Sequence, residues 1–184
     1  MGGSRLVDIS VRVTASVCQE VVLVLPSGYS WQGEPVTRVV VGGETRIDSA
    51  RRGLDAVPTS AQVVLVHDAA HPLASKRLLD SLIRAVEQPS VDAALPALPT
   101  KDTVMRTRDD EVVETVPRKG LVWVQMPYAF KANVLRAAHS HGGQAADESV
   151  LVQRLGARIK TIPGEASNIH VATREDLAIV ARLL

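Results

Sequence analysis

Short runs that are apolar at every position, rather than at every second one, recur along this chain between amphipathic stretches. Val21-Val22-Leu23-Val24-Leu25 ends at Pro26-Ser27-Gly28, Arg38-Val39-Val40-Val41 at Gly42-Gly43, and Val63-Val64-Leu65-Val66 at His67-Asp68. A strand that is apolar throughout has both faces covered, which is the environment of a parallel sheet with helices on either side. Further runs fall at 91–95, 121–124, 158–162 and 169–171. Between them, residues 6–17, 45–57, 75–87, 131–139, 147–155 and 174–184 read as helices. Ser75 and Thr173 stand as N-caps, with Asp176 at the third helical position after Thr173. Pro58, Pro89, Gly142-Gly143 and Gly156 supply the stops. The alternation predicts an α/β fold with a doubly wound, mostly parallel sheet in a single domain over residues 1–184. Residues 101–118 break the rhythm: two polar β-like pieces around Arg108-Asp109-Asp110 predict a β-hairpin arm leaving the sheet.

The core of such a fold must be aliphatic, since 46% of the 184 residues are hydrophobic but only 3% aromatic. A formal net charge of +1 argues against a nucleic-acid partner or membrane-surface binding, which need concentrated basic patches. No apolar run approaches the length of a bilayer span. Met1-Gly2-Gly3-Ser4-Arg5-Leu6 has Leu where N-terminal acylation wants Ser or Thr. Cys18 is alone, so no intrachain disulfide forms, and its place before an apolar strand predicts a buried structural thiol. A cytoplasmic protein is expected.

Ligands of open α/β sheets bind beyond the carboxyl ends of the strands. Gly42-Gly43-Glu44 follows one strand and leads into a helix, where a ligand could meet backbone N–H groups closely; a plain tight turn is the alternative. His67-Asp68-Ala69-Ala70-His71 follows another. Asp68 there is placed either to hold a divalent ion that neutralises phosphate charge or to cap the following turn. A metal phosphohydrolase built on His67, Asp68 and His71 is a third reading, although such pairs belong to helical domains. Later polar residues are Lys101, Asp102, Thr103, Arg106, Arg118, Asp147, Glu148 and His170. Arg106 and Arg118 would either clamp an anion or simply form a solvated face.

The order of these pieces carries more than any one of them. Gly42-Gly43-Glu44-Thr45-Arg46-Ile47-Asp48-Ser49, then Val66-His67-Asp68-Ala69-Ala70-His71-Pro72, then Lys101-Asp102-Thr103-Val104-Met105-Arg106, then 121–130, then Asn168-Ile169-His170-Val171 resembles one family. It is the 2-C-methyl-D-erythritol 4-phosphate cytidylyltransferases of non-mevalonate isoprenoid biosynthesis, with the cytidylyltransferases for alditol phosphates as a related alternative. The resemblance implies a nucleotide-diphospho-sugar transferase fold, a homodimer joined through the arm, and Mg²⁺. It implies attack of a sugar or alditol phosphate oxygen on the α-phosphorus of CTP, releasing pyrophosphate. By matching position, Gly42, Gly43, Glu44, Ser49, Asp68 and Ala69 would face the nucleotide, with Asp68 also at the metal. His71, Thr103, Arg118, Met126, Ala146 and His170 would face the sugar phosphate. Asp68, Arg118 and His170 would carry the catalytic charge work.

The departures cluster. The family's opening strand, its A-A-G-x-G-x-R triphosphate loop and the following Pro-Lys pair have no match in these residues. Glu44 replaces the usual Asp. His71 stands where the family has Arg, Met126 and Tyr128 where it has Thr and Gln, Ala146 where it has Thr, and His170 where it has Lys. Each lost charge-assisted hydrogen bond costs about 1.5–3 kcal/mol, so weak or absent activity is expected of this chain as written. Three readings therefore stand: a cytidylyltransferase whose start is missing, a non-catalytic relative that binds a nucleotide or partner, and a transferase with another acceptor.

Overall fold

The computed structural model describes residues 5–184; the readings that involve Met1, Gly2, Gly3 and Ser4 lie outside the described residues. The elements follow the order α1 Leu6–Ala15, β1 Val22–Leu25, β2 Arg38–Val41, α2 Arg46–Asp55, β3 Val63–Val66, α3 Lys76–Val86 and β4 Ala93–Pro99. The chain continues through β5 Val104–Arg108, β6 Glu111–Val116, β7 Val122–Val124, β8 Tyr128–Lys131, α4 Ala132–His141, α5 Glu148–Arg154, β9 Ile159–Pro163 and α6 Arg174–Leu183.

The helices begin where capping chemistry starts them. Ser75 accepts from Leu78 N, Thr173 and Asp176 form a reciprocal capping box, and Asp147 accepts from Ser149 N and Val150 N. Gly142, at φ 67°, ends α4.

β3, β8, β4 and β7 form the central sheet, with β9 on the other side of β4. β3 and β4 are both antiparallel to β8, and β9 is parallel to β4, so β3, β4 and β9 share one direction. The expectation of a mostly parallel sheet holds for strand direction but needs a correction for pairing. β7 and β8 together form one reversed strand, inserted between β3 and β4 at one end and extending beside β4 at the other. β8 leaves no strand signature in the sequence, because Pro127 opens it and Lys131 closes it against a helix. β4 runs past Pro96, which reads as a breaker. The Pro96 carbonyl accepts from Gln125 N, at the interruption between β7 and β8 where the missing proline N–H is tolerated. Residues 169–171, expected as a strand, are irregular and tied down by Val171 N donating to Ala70 O at 2.8 Å.

Alternation along β4 and β8 divides the core. Ala93, Leu95, Tyr128 and Phe130 pack with Leu135, Leu151 and Val152, whereas Ala94 and Ala129 pack with Leu78, Leu79, Leu82 and Val86 of α3. Both faces of this sheet are thus covered. The pair β1–β2 stands apart, parallel and in its own two-stranded sheet. A cavity of about 800 Å³ lies between this pair and β3, lined by Val22, Leu23 and Val24 on one wall and Val64, Leu65 and Val66 on the other. Residues 101–118 do contain a hairpin: β5 and β6 pair antiparallel across a turn in which Asp109 (φ 48°) and Asp110 (φ 65°) both take the left-handed region. That is the geometry of a two-residue hairpin turn, and Asp is among the residues that tolerate it.

Among the described residues no helix is long and apolar enough to cross a membrane. Leu82→Ala, at a position with no exposed surface, should lower stability by about 2–5 kcal/mol. Leu184→Ala, exposed at the end of α6, should change it by under about 0.5 kcal/mol; urea unfolding separates the two. Burial pushes the Cys18 thiol up to about 11, so its alkylation by iodoacetamide at pH 8 should be at least about tenfold slower than that of free cysteine.

Candidate functional site

The loops at the ends of β2 and β3, the base of the arm, the β7–β8 interruption and the segment after β9 supply the residues singled out above. After β2, Gly42 and Gly43 let the chain lie against α2. A Cβ on Gly42 would come within 2.8 Å of Ser49 Oγ, and one on Gly43 would collide with Asp48. Gly43 N donates to Ser49 Oγ at 3.1 Å. Asp48 N donates to Thr45 Oγ1 at 3.1 Å, so α2 uses one of its first donors on its own cap. The expected free N–H groups at this helix start are therefore fewer than the sequence implied. Glu44 is exposed beside this turn.

After β3, Asp68 does act as a turn cap: its Oδ1 accepts from Ala70 N at 2.8 Å, and His71 N donates to Asp68 O at 2.9 Å. One carboxylate oxygen is thereby engaged, which leaves Oδ2 for another partner. His67 and His71 are both held down at about 4, in each case by burial first; the neighbouring imidazole (His71 for His67, His170 for His71) adds to it. Both are neutral imidazoles at pH 7. Neither His67 ring nitrogen, nor Nδ1 of His71, has a hydrogen-bond partner. The His71 ring stacks on His170, with centroids 4.7 Å apart and planes 11° from parallel.

A polar clamp that sequence reasoning missed puts His170 there. Gln125 Nε2 donates to the carbonyls of Glu165 and Asn168 at 2.8 Å each, while its Oε1 accepts from Glu165 N at 3.0 Å. Asn168 Nδ2 donates to Met126 O at 2.7 Å, and Ser75 Oγ donates to Glu165 Oε1 at 2.7 Å. A side chain on Gly164 would collide with Gln125 Oε1. The segment entering Asn168-Ile169-His170 is thus sewn to β7–β8 and to α3. The sequence signal was Asn168 and the 121–130 motif that contains Gln125, but nothing in their spacing shows that the two segments bond each other.

The remaining expected residues separate. Met126 is 6% exposed and belongs to the core beside Leu95 and Tyr128, so its side chain faces protein rather than an open site. Ala146 is exposed just before the Asp147 cap of α5, and Tyr128 OH donates to Asp147 Oδ2 at 3.3 Å. Burial, and Asp147 second, raise the Tyr128 phenol well above its ordinary value. Thr103 and Arg118 flank the arm, both exposed, and Arg118 donates to the Lys101 carbonyl. Arg106 pairs with Glu114 across the hairpin, on a solvated face.

A second unforeseen feature joins the two halves of the site. Arg46 Nη1, in the first turn of α2, reaches both carboxylate oxygens of Glu148 at 3.1 and 2.9 Å. Glu148 has no exposed side-chain surface, whereas Arg46 is 42% exposed. Removing the arginine strands a buried carboxylate, while removing the carboxylate leaves a guanidinium that water can reach. Arg46→Met should therefore cost about 3–5 kcal/mol and Glu148→Gln about 1–3 kcal/mol. Equal costs in urea unfolding would contradict this one-sided burial.

Comparison with known proteins agrees with this fold. The family model for 2-C-methyl-D-erythritol 4-phosphate cytidylyltransferase matches residues 1–184. The enzyme of that name from Deinococcus radiodurans is 37% identical over 187 residues, covering all of this chain and 79% of the relative. That from Frankia casuarinae is 42% identical over 148 residues, covering 79% of this chain but 55% of the relative. A bifunctional IspD/IspF enzyme from Granulibacter bethesdensis is 41% identical over 153 residues, covering 82% of this chain and 40% of the relative. The chain thus spans from under half to about four-fifths of these relatives. Among solved structures, the Thermus thermophilus enzyme superposes with a TM-score of 0.90 at 32% identity, covering 99% of this chain and 90% of that one. The Anaerococcus prevotii 4-diphosphocytidyl-2C-methyl-D-erythritol synthase gives 0.83 at 27% identity, covering 100% and 90%. With a fold, a motif order and a match over all of its residues in common, this chain belongs to the 2-C-methyl-D-erythritol 4-phosphate cytidylyltransferase family.

Proposed function

We propose that this chain takes part in cytidylyl transfer from CTP to 2-C-methyl-D-erythritol 4-phosphate, the step that serves isoprenoid biosynthesis. The observation that carries the reading is the convergence of the Asp68 turn, His71 and His170 at the end of β3, with Asp68 also lining the cavity that Arg46 and Ser49 of α2 share. Transfer of this kind depends on positioning and charge neutralisation more than on covalent chemistry. The Gly42-Gly43 turn with Glu44 and Ser49 receives the cytidine, and Asp68 and Ala69 lie toward the ribose and phosphates. Thr103 and Arg118 approach the acceptor phosphate from the arm. Of these residues only Asp68, with one carboxylate oxygen free, suits Mg²⁺, which would take the rest of its shell from phosphates and water. Mg²⁺ would neutralise phosphate charge there.

Two imidazoles in place of fixed cations favour, as a second reading, an acceptor other than methylerythritol phosphate, with an alditol phosphate as the first alternative. A pyrophosphate-release assay with CTP, Mg²⁺ and each acceptor tests both. Turnover with one acceptor, lowered at least about tenfold by Asp68→Ala, supports the transfer reading and identifies the acceptor. Saturable CTP binding without turnover would leave a non-catalytic nucleotide binder, and no CTP binding by the folded chain would sink the proposal.

We further propose that the arm pairs two copies of the chain. Met105, Val112 and Val113 are 51, 59 and 52% exposed on it, an apolar surface that a lone hairpin leaves in water. Sedimentation should show a dimer for the wild type and a monomer for Val112→Asp/Val113→Asp. A wild-type monomer at tens of micromolar would end this part of the proposal.

A further inference from the structure

The histidine pair has a chemistry of its own. One ligand atom each from Asp68, His71 and His170 lie within 4.8 Å of one another. Asp68 is held by the bond from Ala70 N to its Oδ1, which aims the carboxylate while leaving Oδ2 free. His71 is 7% exposed, and its Nδ1 is buried with no partner in the protein. His170 is exposed, so the cluster has one open side. Its backbone is set from two directions, by Val171 N on Ala70 O and by the Gln125–Asn168 clamp. No hydrogen bond to Nδ1 thus holds the His71 ring in competition with a bound cation. Ligands fixed by a surrounding hydrogen-bond network are the ordinary construction of a metal site.

We propose that Asp68, His71 and His170 bind a divalent transition-metal ion of the zinc class, leaving its outward position open to an anionic oxygen. Two imidazoles and one carboxylate suit zinc, cobalt or nickel, whereas Mg²⁺ takes oxygen ligands and keeps most of its water. Three protein ligands with an open fourth position is the arrangement of a site that meets a substrate rather than a closed structural one. Placed at the end of β3, the ion supplies positive charge where a phosphate oxygen arrives. That role rests on the transfer reading above, but metal binding itself does not.

The test is a titration of the metal-free full chain with Co²⁺, followed by its visible d–d absorption, with Mg²⁺ present in about hundredfold excess. One equivalent should bind, give bands of a four- or five-coordinate ion, and be displaced by one equivalent of Zn²⁺. His71→Arg/His170→Lys should weaken binding at least about tenfold. His170→Ala, at an exposed position that folding tolerates, should do the same if the double variant fails to fold. A folded wild type that takes up no Co²⁺, or a His170→Ala variant that binds it as tightly, overturns the inference. CTP binding is measured in parallel without Co²⁺, so that failure of the metal site and failure of the transfer reading are told apart.

Discussion

β4 is the strand on which the remaining order depends. It pairs with β8 and β7 on one side and β9 on the other, and helices lie over both of its faces. Ala93, Ala94 and Ala97 keep it thin, so α3 can pack closely from one face while the larger Phe130 and Leu135 fill the other. A strand enclosed in this way has no room for an unpaired backbone group. Its interior proline, Pro96, is therefore matched to the interruption at Gln125-Met126-Pro127.

That interruption is what makes the site. Where β7 gives way to β8, Gln125 turns its amide onto the loop after β9, and Asn168 returns a bond to the Met126 carbonyl. The side-chain bonds replace backbone ladder bonds that the break removed, and they fix a loop that would otherwise be free to move. Buried polar networks of this kind favour one arrangement, because a member left without its bonds is costly; here Gln125 makes all of its amide bonds inside the clamp, while Asn168 spends its Nδ2 and leaves Oδ1 without a partner. The result is a rigid seat for His170 against His71, built from residues on three separate elements.

The family's departures look different in this light. Met126 is a core side chain and contributes to packing more than to any ligand contact. Tyr128 retains a polar role through Asp147, which also caps α5. His71 and His170, which stand where the resemblance puts Arg and Lys, stack on each other and so form one structural unit.

Helix positions, caps and the hairpin turn at Asp109-Asp110 were legible from the residues, because capping and left-handed turn geometry depend on neighbours a few positions apart. The doubly wound class was legible too, since apolar strands betray two covered faces. Strand β8 was not, because its partners β3 and β4 lie far back along the chain and direction leaves no mark on composition. The resemblance in motif order led to the expectation that Asp68, His71 and His170 lie near a common ligand, and the three do come together. Only the tertiary structure decided that the two imidazoles stack, that Met126 turns inward and that Arg46 meets a fully buried Glu148, because contacts between distant segments are set by how the sheet closes, not by local sequence.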